Sequence, residues 1–177
     1  QESDVPFQYP TLTALEQTVV PASDPVALTR RLRGIKDIPP PPISPPVRQI
    51  GEQQLFWVSN DSENSEFLVS ATLRVVGEHI YMWLEDGAQV SDTDLQALAD
   101  AFDSTIYDSV RNLWGSEATP GVDGDPRLYG LFAHNLGSGL AAYFVGRHTF
   151  PVQVYPSSNQ HEMFFFNLDG IGTVNIA

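Results

Sequence analysis

His161 and Glu162 stand side by side, and such a pair invites a metal reading. A helical His-Glu-x-x-His sets two imidazoles on one face for zinc, with the glutamate as general base. Here the fifth position is Phe165, so a ligand is missing, and the aromatic run around it speaks for a strand. The pair is therefore expected at a strand edge, in water. Carboxylates also come in twos, at Glu85-Asp86 and at Asp123 and Asp125. Two carboxyls flanking a bond can run glycosidase-type acid and base chemistry, but acidic loops also bring them together. Asp123-Gly124-Asp125 matches part of a calcium loop, where hard oxygen ligands gather around a glycine turn. An Asx-type turn closed by Pro126 accounts for the same residues, so Asp123 and Asp125 stand as candidate calcium ligands with the turn as the competing reading. His79, His134 and His148 lack partners at ligand spacing and are expected to be ordinary hydrogen-bonded residues. Gly137-Ser138-Gly139 lacks the lysine of a phosphate loop and reads as a hairpin turn. The absence of cysteine excludes disulfides, Cys-ligated zinc and thiol chemistry together.

The elements that must position these residues follow from periodicity. Leu55-Val58, Phe67-Val69 and a run from Ala71 to Leu84, broken at Gly77-Glu78, read as hairpin strands, with Asn60 to Asn64 as a polar turn. Ser91 suits a helix N-cap and Gly115 a stop. Between them Leu95, Leu98, Ala99, Phe102, Ile106, Val110 and Leu113 recur at three- and four-residue steps, which predicts one long helix over 92–114 packed across the sheet. Strand signals return at Leu128–Ala133, Leu140–Val145, Val152–Tyr155 and Glu162–Leu168, the last with apolar residues on both parities. The expected fold is α+β: a mixed, mostly antiparallel sheet with one long helix on it.

Residues 1–50 differ in kind. Pro39 to Pro42 and Pro45-Pro46 favour extended polyproline II and read as a linker, preceded by a short helix capped at Ser23-Asp24-Pro25 and ended by Gly34. This gives two segments, a leader at 1–50 and a domain at 51–177. The leader carries five basic and five acidic side chains, so the whole net charge of −13 falls after residue 50. Such a surface repels phosphate backbones and anionic membranes and attracts cations and basic peptides. No apolar run reaches the roughly 18–20 residues of a membrane span.

Four segments taken together carry a resemblance: Leu15 to Pro21, Tyr81 to Gly87, Pro120 to Leu128, and Ser158 to Asn167. They resemble the region upstream of the active site in secreted bacterial zinc metallopeptidases of the hyicolysin type and, more loosely, of immune inhibitor A. The resemblance implies the upper part of a zincin domain: a strand, a long helix, then several strands including an antiparallel edge strand, before the helix bearing His-Glu-x-x-His. It implies that Phe150, Val152, Val154 and Tyr155 form that edge strand and pair with extended peptide substrate. The motif itself is absent from the chain, so no zinc ligand or base carries over. The expectation is a non-catalytic, secreted portion whose partner is the remainder of its own protease domain, with zinc belonging to the full-length protein. The competing expectation is a stand-alone extracellular acidic binding module using surfaces near Trp57 and Tyr81; a glycoside hydrolase fragment is a third.

Overall fold

The computed structural model describes residues 10–19 and 23–171. Two short helices come first, α1 (Pro10–Gln17) and α2 (Pro25–Leu32). Pro25 opens α2, and the Asp24 carboxylate accepts from the Ala27 amide at 2.9 Å, as the capping pattern requires.

Apolar, β-branched and aromatic runs from Gln53 onward form β1 (Gln53–Asn60), β2 (Ser65–Val76) and β3 (Ile80–Glu85), a meander of antiparallel pairs. After the helical crossover come β4 (Leu128–Ala133), β5 (Ala142–Phe144), β6 (Met163–Asn167) and a closing turn of helix, α5 (Leu168–Ile171). The sheet order is β1-β2-β3-β4-β6-β5, with β3, β4 and β6 parallel and β5 antiparallel at the edge. The fold is thus α+β around one mixed six-stranded sheet. Apolar residues of both parities bury β4 throughout and β3 up to Leu84. Tyr81 and Trp83 face one core with Phe56, Leu131 and Phe165, while Ile80, Met82 and Leu84 face another with Leu95 and Phe132. The sheet curls so that β1 approaches the β5–β6 side. Asn159 accepts from the Trp57 amide at 2.7 Å and donates to its carbonyl at 2.9 Å, and the Tyr143 hydroxyl accepts from the Ser59 amide. Side chains thereby seal an edge that would otherwise invite another strand.

Residues 92–114 are helical throughout, as α3 (Asp92–Ala101), a π turn (Phe102–Ile106) and α4 (Tyr107–Trp114). Ser91 caps the start, accepting from the Asp94 amide. Within the π turn the Asp103 carboxylate accepts from the amides of Glu78 and His79 at 2.7 and 2.9 Å, tying the helix to the β2–β3 turn. Gly77 sits there because a Cβ would fall 2.7 Å from that carboxylate. Beyond this anchor the expectation of continuous packing fails. Leu95 and Ala99 are fully buried, whereas Ile106, Val110, Leu113 and Trp114 are 45, 47, 74 and 81% exposed. The stripe exists, but the sheet covers only its first half.

The leader docks on the end of the sheet where β4 and β6 begin. Arg33 donates to the carbonyls of Val154 and Gln153 at 2.9 and 3.3 Å, Ile38 is buried, and Pro42 lies so close to Gly124 that a Cβ there would meet its carbonyl at 2.7 Å. Arg48 lies 5.7 Å from the ring centres of both Trp83 and Tyr129 and pairs with Glu52. Among the described residues no helix is long and apolar enough to cross a membrane.

Candidate functional site

Two loops meet at the N-terminal ends of the parallel strands: 115–127 before β4 and 145–162 before β6. They bring Asp123 and Asp125 against His161 and Glu162. Turn chemistry shapes the first loop. The Asp125 amide donates to Asp123 Oδ1 at 3.0 Å, and the Arg127 amide donates to Asp125 Oδ1 at 3.0 Å, giving two successive Asx turns. The remaining oxygens are also engaged: Asp123 Oδ2 lies 2.7 Å from His161 Nδ1, and Asp125 Oδ2 accepts from the Tyr81 hydroxyl at 2.7 Å. All four oxygens of the calcium candidates thus face protein donors, and among the described residues no group of three or more His, Asp or Glu side chains is placed to hold a metal ion.

His161 and Glu162 are not the solvated edge pair that the sequence suggests; they are 5 and 6% exposed. His161 stacks on Tyr129 at 3.8 Å between ring centres. Gln54 Nε2, which can only donate, lies 3.1 Å from His161 Nε2. The ring proton therefore sits on Nδ1 and is given to Asp123. Burial holds the His161 imidazole below its ordinary pKa, against the pull of Asp123. Burial likewise pushes Tyr81 up to about 12, helped by Asp125. Glu162 is pushed from 4.5 up to about 7, first by burial and then by the negative charge of Asp123. Gly121 makes room for it: φ is 76°, and a Cβ would lie 2.3 Å from Glu162 Oε2. His148, buried behind the pair, accepts from the Asn159 amide through Nδ1 at 3.0 Å and is pushed down to about 4 by burial and by Arg147.

Glu162 also marks the meeting of two clefts. One, of about 540 Å³, runs between Phe102, Ile106, Val110 and Trp114 on the helix side and Leu128, Phe144 and Phe164 on the sheet. The second, of about 610 Å³, lies between the leader prolines 39–41 and Val122, Phe150 and Pro151. Ala118, Thr149 and Glu162 line both.

Of the remaining candidates, Phe150, Val152, Val154 and Tyr155 do not form an edge strand. Residues 152–154 turn, with the amides of Val154 and Tyr155 both donating to Pro151. Pro151 and Pro156 bracket the segment and favour the turn over a ladder, and Arg33 already occupies the Gln153 and Val154 carbonyls. The antiparallel edge strand is β5 instead. Glu85 accepts from the His134 amide and His134 pairs with Asp169 at the opposite end of the sheet, away from Asp123 and Asp125. The sequence shows no sign of the Tyr129, Gln54 and Arg48 shell around His161. The fold and site define a curled mixed-sheet α+β protein with a buried Asp–His pair beside an open apolar cleft. In comparisons with known proteins, no family model matches the chain and no curated protein matches it significantly.

Proposed function

We propose that this chain is the non-catalytic, sheet-bearing part of a secreted zinc metallopeptidase, in which peptide-bond hydrolysis depends on a His-Glu-x-x-His helix outside these residues. The observation that carries this reading is the open apolar cleft beside α4. A module acting alone would close both faces of its sheet, whereas here Val110 and Trp114 on the helix and Phe144 on β5 stand exposed around a groove floored by Phe164. Contiguous apolar surface of this kind marks a place where more polypeptide packs. The element order supports the same reading: β3, the helical crossover, β4, and β5 antiparallel beside β6.

The described residues do not themselves fit zinc. His161 has both ring nitrogens engaged, by Asp123 and Gln54; neighbouring His148, whose carbonyl accepts from the His161 amide, has Nδ1 taken by the Asn159 amide, and His79 and His134 lie against Asp103 and Asp169. Zinc would supply water activation in the complete enzyme from ligands elsewhere, and no step of that chemistry is assigned to a residue here. The test is to express the chain together with the polypeptide encoded after residue 177. Chelator-sensitive cleavage of casein is the expected result. The reading fails if no His-Glu-x-x-His is encoded within the next few dozen codons.

A further inference from the structure

We infer that β1 is fastened to loop 145–162 by an acid-released clasp, in which protonation of His148 expels the Asn159 amide from its ring and frees the outer edge of β1 at Trp57. The inference stands apart from the peptidase reading above, since it needs only residues of this chain.

The clasp is a relay of three residues. The Asn159 side chain accepts from the Trp57 amide at 2.7 Å and donates to the Trp57 carbonyl at 2.9 Å, so it takes the place of a neighbouring strand. Asn159 is positioned in turn by its own backbone amide, which donates to His148 Nδ1 at 3.0 Å. That bond exists only while Nδ1 keeps its lone pair, with the ring proton on Nε2. An imidazolium has donors at both nitrogens. Protonation would therefore set one N–H against the N–H of Asn159, and the relay to Trp57 would lose its support.

The surroundings leave a charged ring no way to stay in place. His148 is 1% exposed, and its Nε2 is buried without a hydrogen-bond partner. The groups that face the ring are the Arg147 guanidinium, the His161 imidazole and the Phe165 ring at 5.0 Å, and among the described residues no carboxylate bonds to it. Burial, then the charges of Arg147 and His161, push its pKa down to about 4. The ring cannot swing out alone. The His148 carbonyl accepts from the His161 amide at 2.9 Å and from the Ser158 hydroxyl at 3.2 Å, so the ring reaches water only when the 158–161 turn gives way, and that turn carries Asn159. What acid uncovers is a strand edge with a free N–H and C=O at Trp57, a template for pairing. Ser59, two residues further on, is held differently: its amide donates to the Tyr143 hydroxyl at 2.9 Å, a bond that acid does not break. Gln54, at the other end of β1, is tied to His161, which Asp123 backs at Nδ1.

Amide hydrogen exchange on the intact chain, corrected for the intrinsic pH dependence of exchange, tests the clasp. A ring that titrates at about 4 in place and near 6.5 once released favours release about a hundredfold more at pH 4 than at pH 7.5. Protection of the Trp57 amide should fall by about that factor over this range, while the Ser59 amide keeps its protection. His148→Asn offers an amide oxygen in place of Nδ1 and does not titrate, so it should leave the Trp57 amide equally protected at both pH values. Constant protection of Trp57 in the wild type, an equal fall at Ser59, or a pH dependence at Trp57 that persists in His148→Asn overturns the inference; the last of these would move the switch to His161. If the variant does not fold, the comparison of the two wild-type amides decides by itself.

Discussion

Replacing Glu162 with glutamine should change stability only where the wild-type carboxyl is ionised. The perturbation is nearly isosteric, and glutamine stands in for the protonated acid without a titrating group. In the folded protein the carboxyl titrates at about 7, in the unfolded chain near 4.5. Because the folded value is the higher one, the group's contribution is fully present below 4.5 and is lost as the pH rises through 7. At about 1.4 kcal/mol per pH unit the whole gap amounts to about 3 kcal/mol. Glu162 is 6% exposed, so solvent screening does little to shrink this figure.

Urea unfolding at a series of pH values measures it. At pH 4.5 variant and wild type should have the same stability; at pH 8 the variant should be the more stable by about 3 kcal/mol. The intermediate range adds a second check. His148 titrates at about 4 when folded and near 6.5 when unfolded, so its contribution is present above 6.5 and lost as the pH falls to 4. Burial holds His161 below its ordinary value in the same way, so between 4.5 and 6.5 the two histidines add stability as the pH rises while Glu162 removes it. The variant, which lacks the opposing carboxyl, should rise more steeply than wild type by about 1.4 kcal/mol per pH unit across that window. A variant curve running parallel to the wild-type curve from pH 4.5 to 8 would refute the claim that burial raises the Glu162 carboxyl.

Other outcomes follow from single contacts. His148 should titrate near pH 4 by NMR and carry its proton on Nε2 above that, since Nδ1 accepts from the Asn159 amide. Asn159→Ala should cost about 1–3 kcal/mol and raise hydrogen exchange at the Trp57 amide, because both bonds to that residue's backbone disappear. Gly121→Ala should destabilise by at least about 1–2 kcal/mol from its left-handed backbone alone, with a further loss as the methyl strikes Glu162, read as a fall in the urea midpoint.

The hairpin strands were legible because short apolar, β-branched and aromatic runs at Leu55–Val58 and Phe67–Val69 flank the polar turn at Asn60 to Asn64, and Val69 to Val75 alternate with polar residues. The ends of the helical span were legible for the same local reason, a cap at Ser91 and Gly115 beyond Trp114. Periodicity states which residues share a face; it does not state what covers that face. The stripe from Leu95 to Leu113 therefore looked uniform, although Asp103 fixes the helix to the β2–β3 turn and the half beyond leaves the sheet. The segment Phe150 to Tyr155 failed differently. Its alternation satisfies a strand, but Pro151 removes a ladder donor and its carbonyl collects the amides of Val154 and Tyr155.

His161 and Glu162 show most plainly what a linear reading lacks. Their neighbours in sequence are aromatic strand residues, which suggest an edge, while their neighbours in space are Asp123, Gln54, Tyr129 and Gly121, from three other parts of the chain. The one local hint was chemical: a glutamate directly before Met163-Phe164-Phe165-Phe166 must either face water or be buried at a cost. The fold buries it, and the cost is tolerable because Gly121 has no side chain to collide with the carboxyl, and the carboxyl can hold a proton near neutral pH.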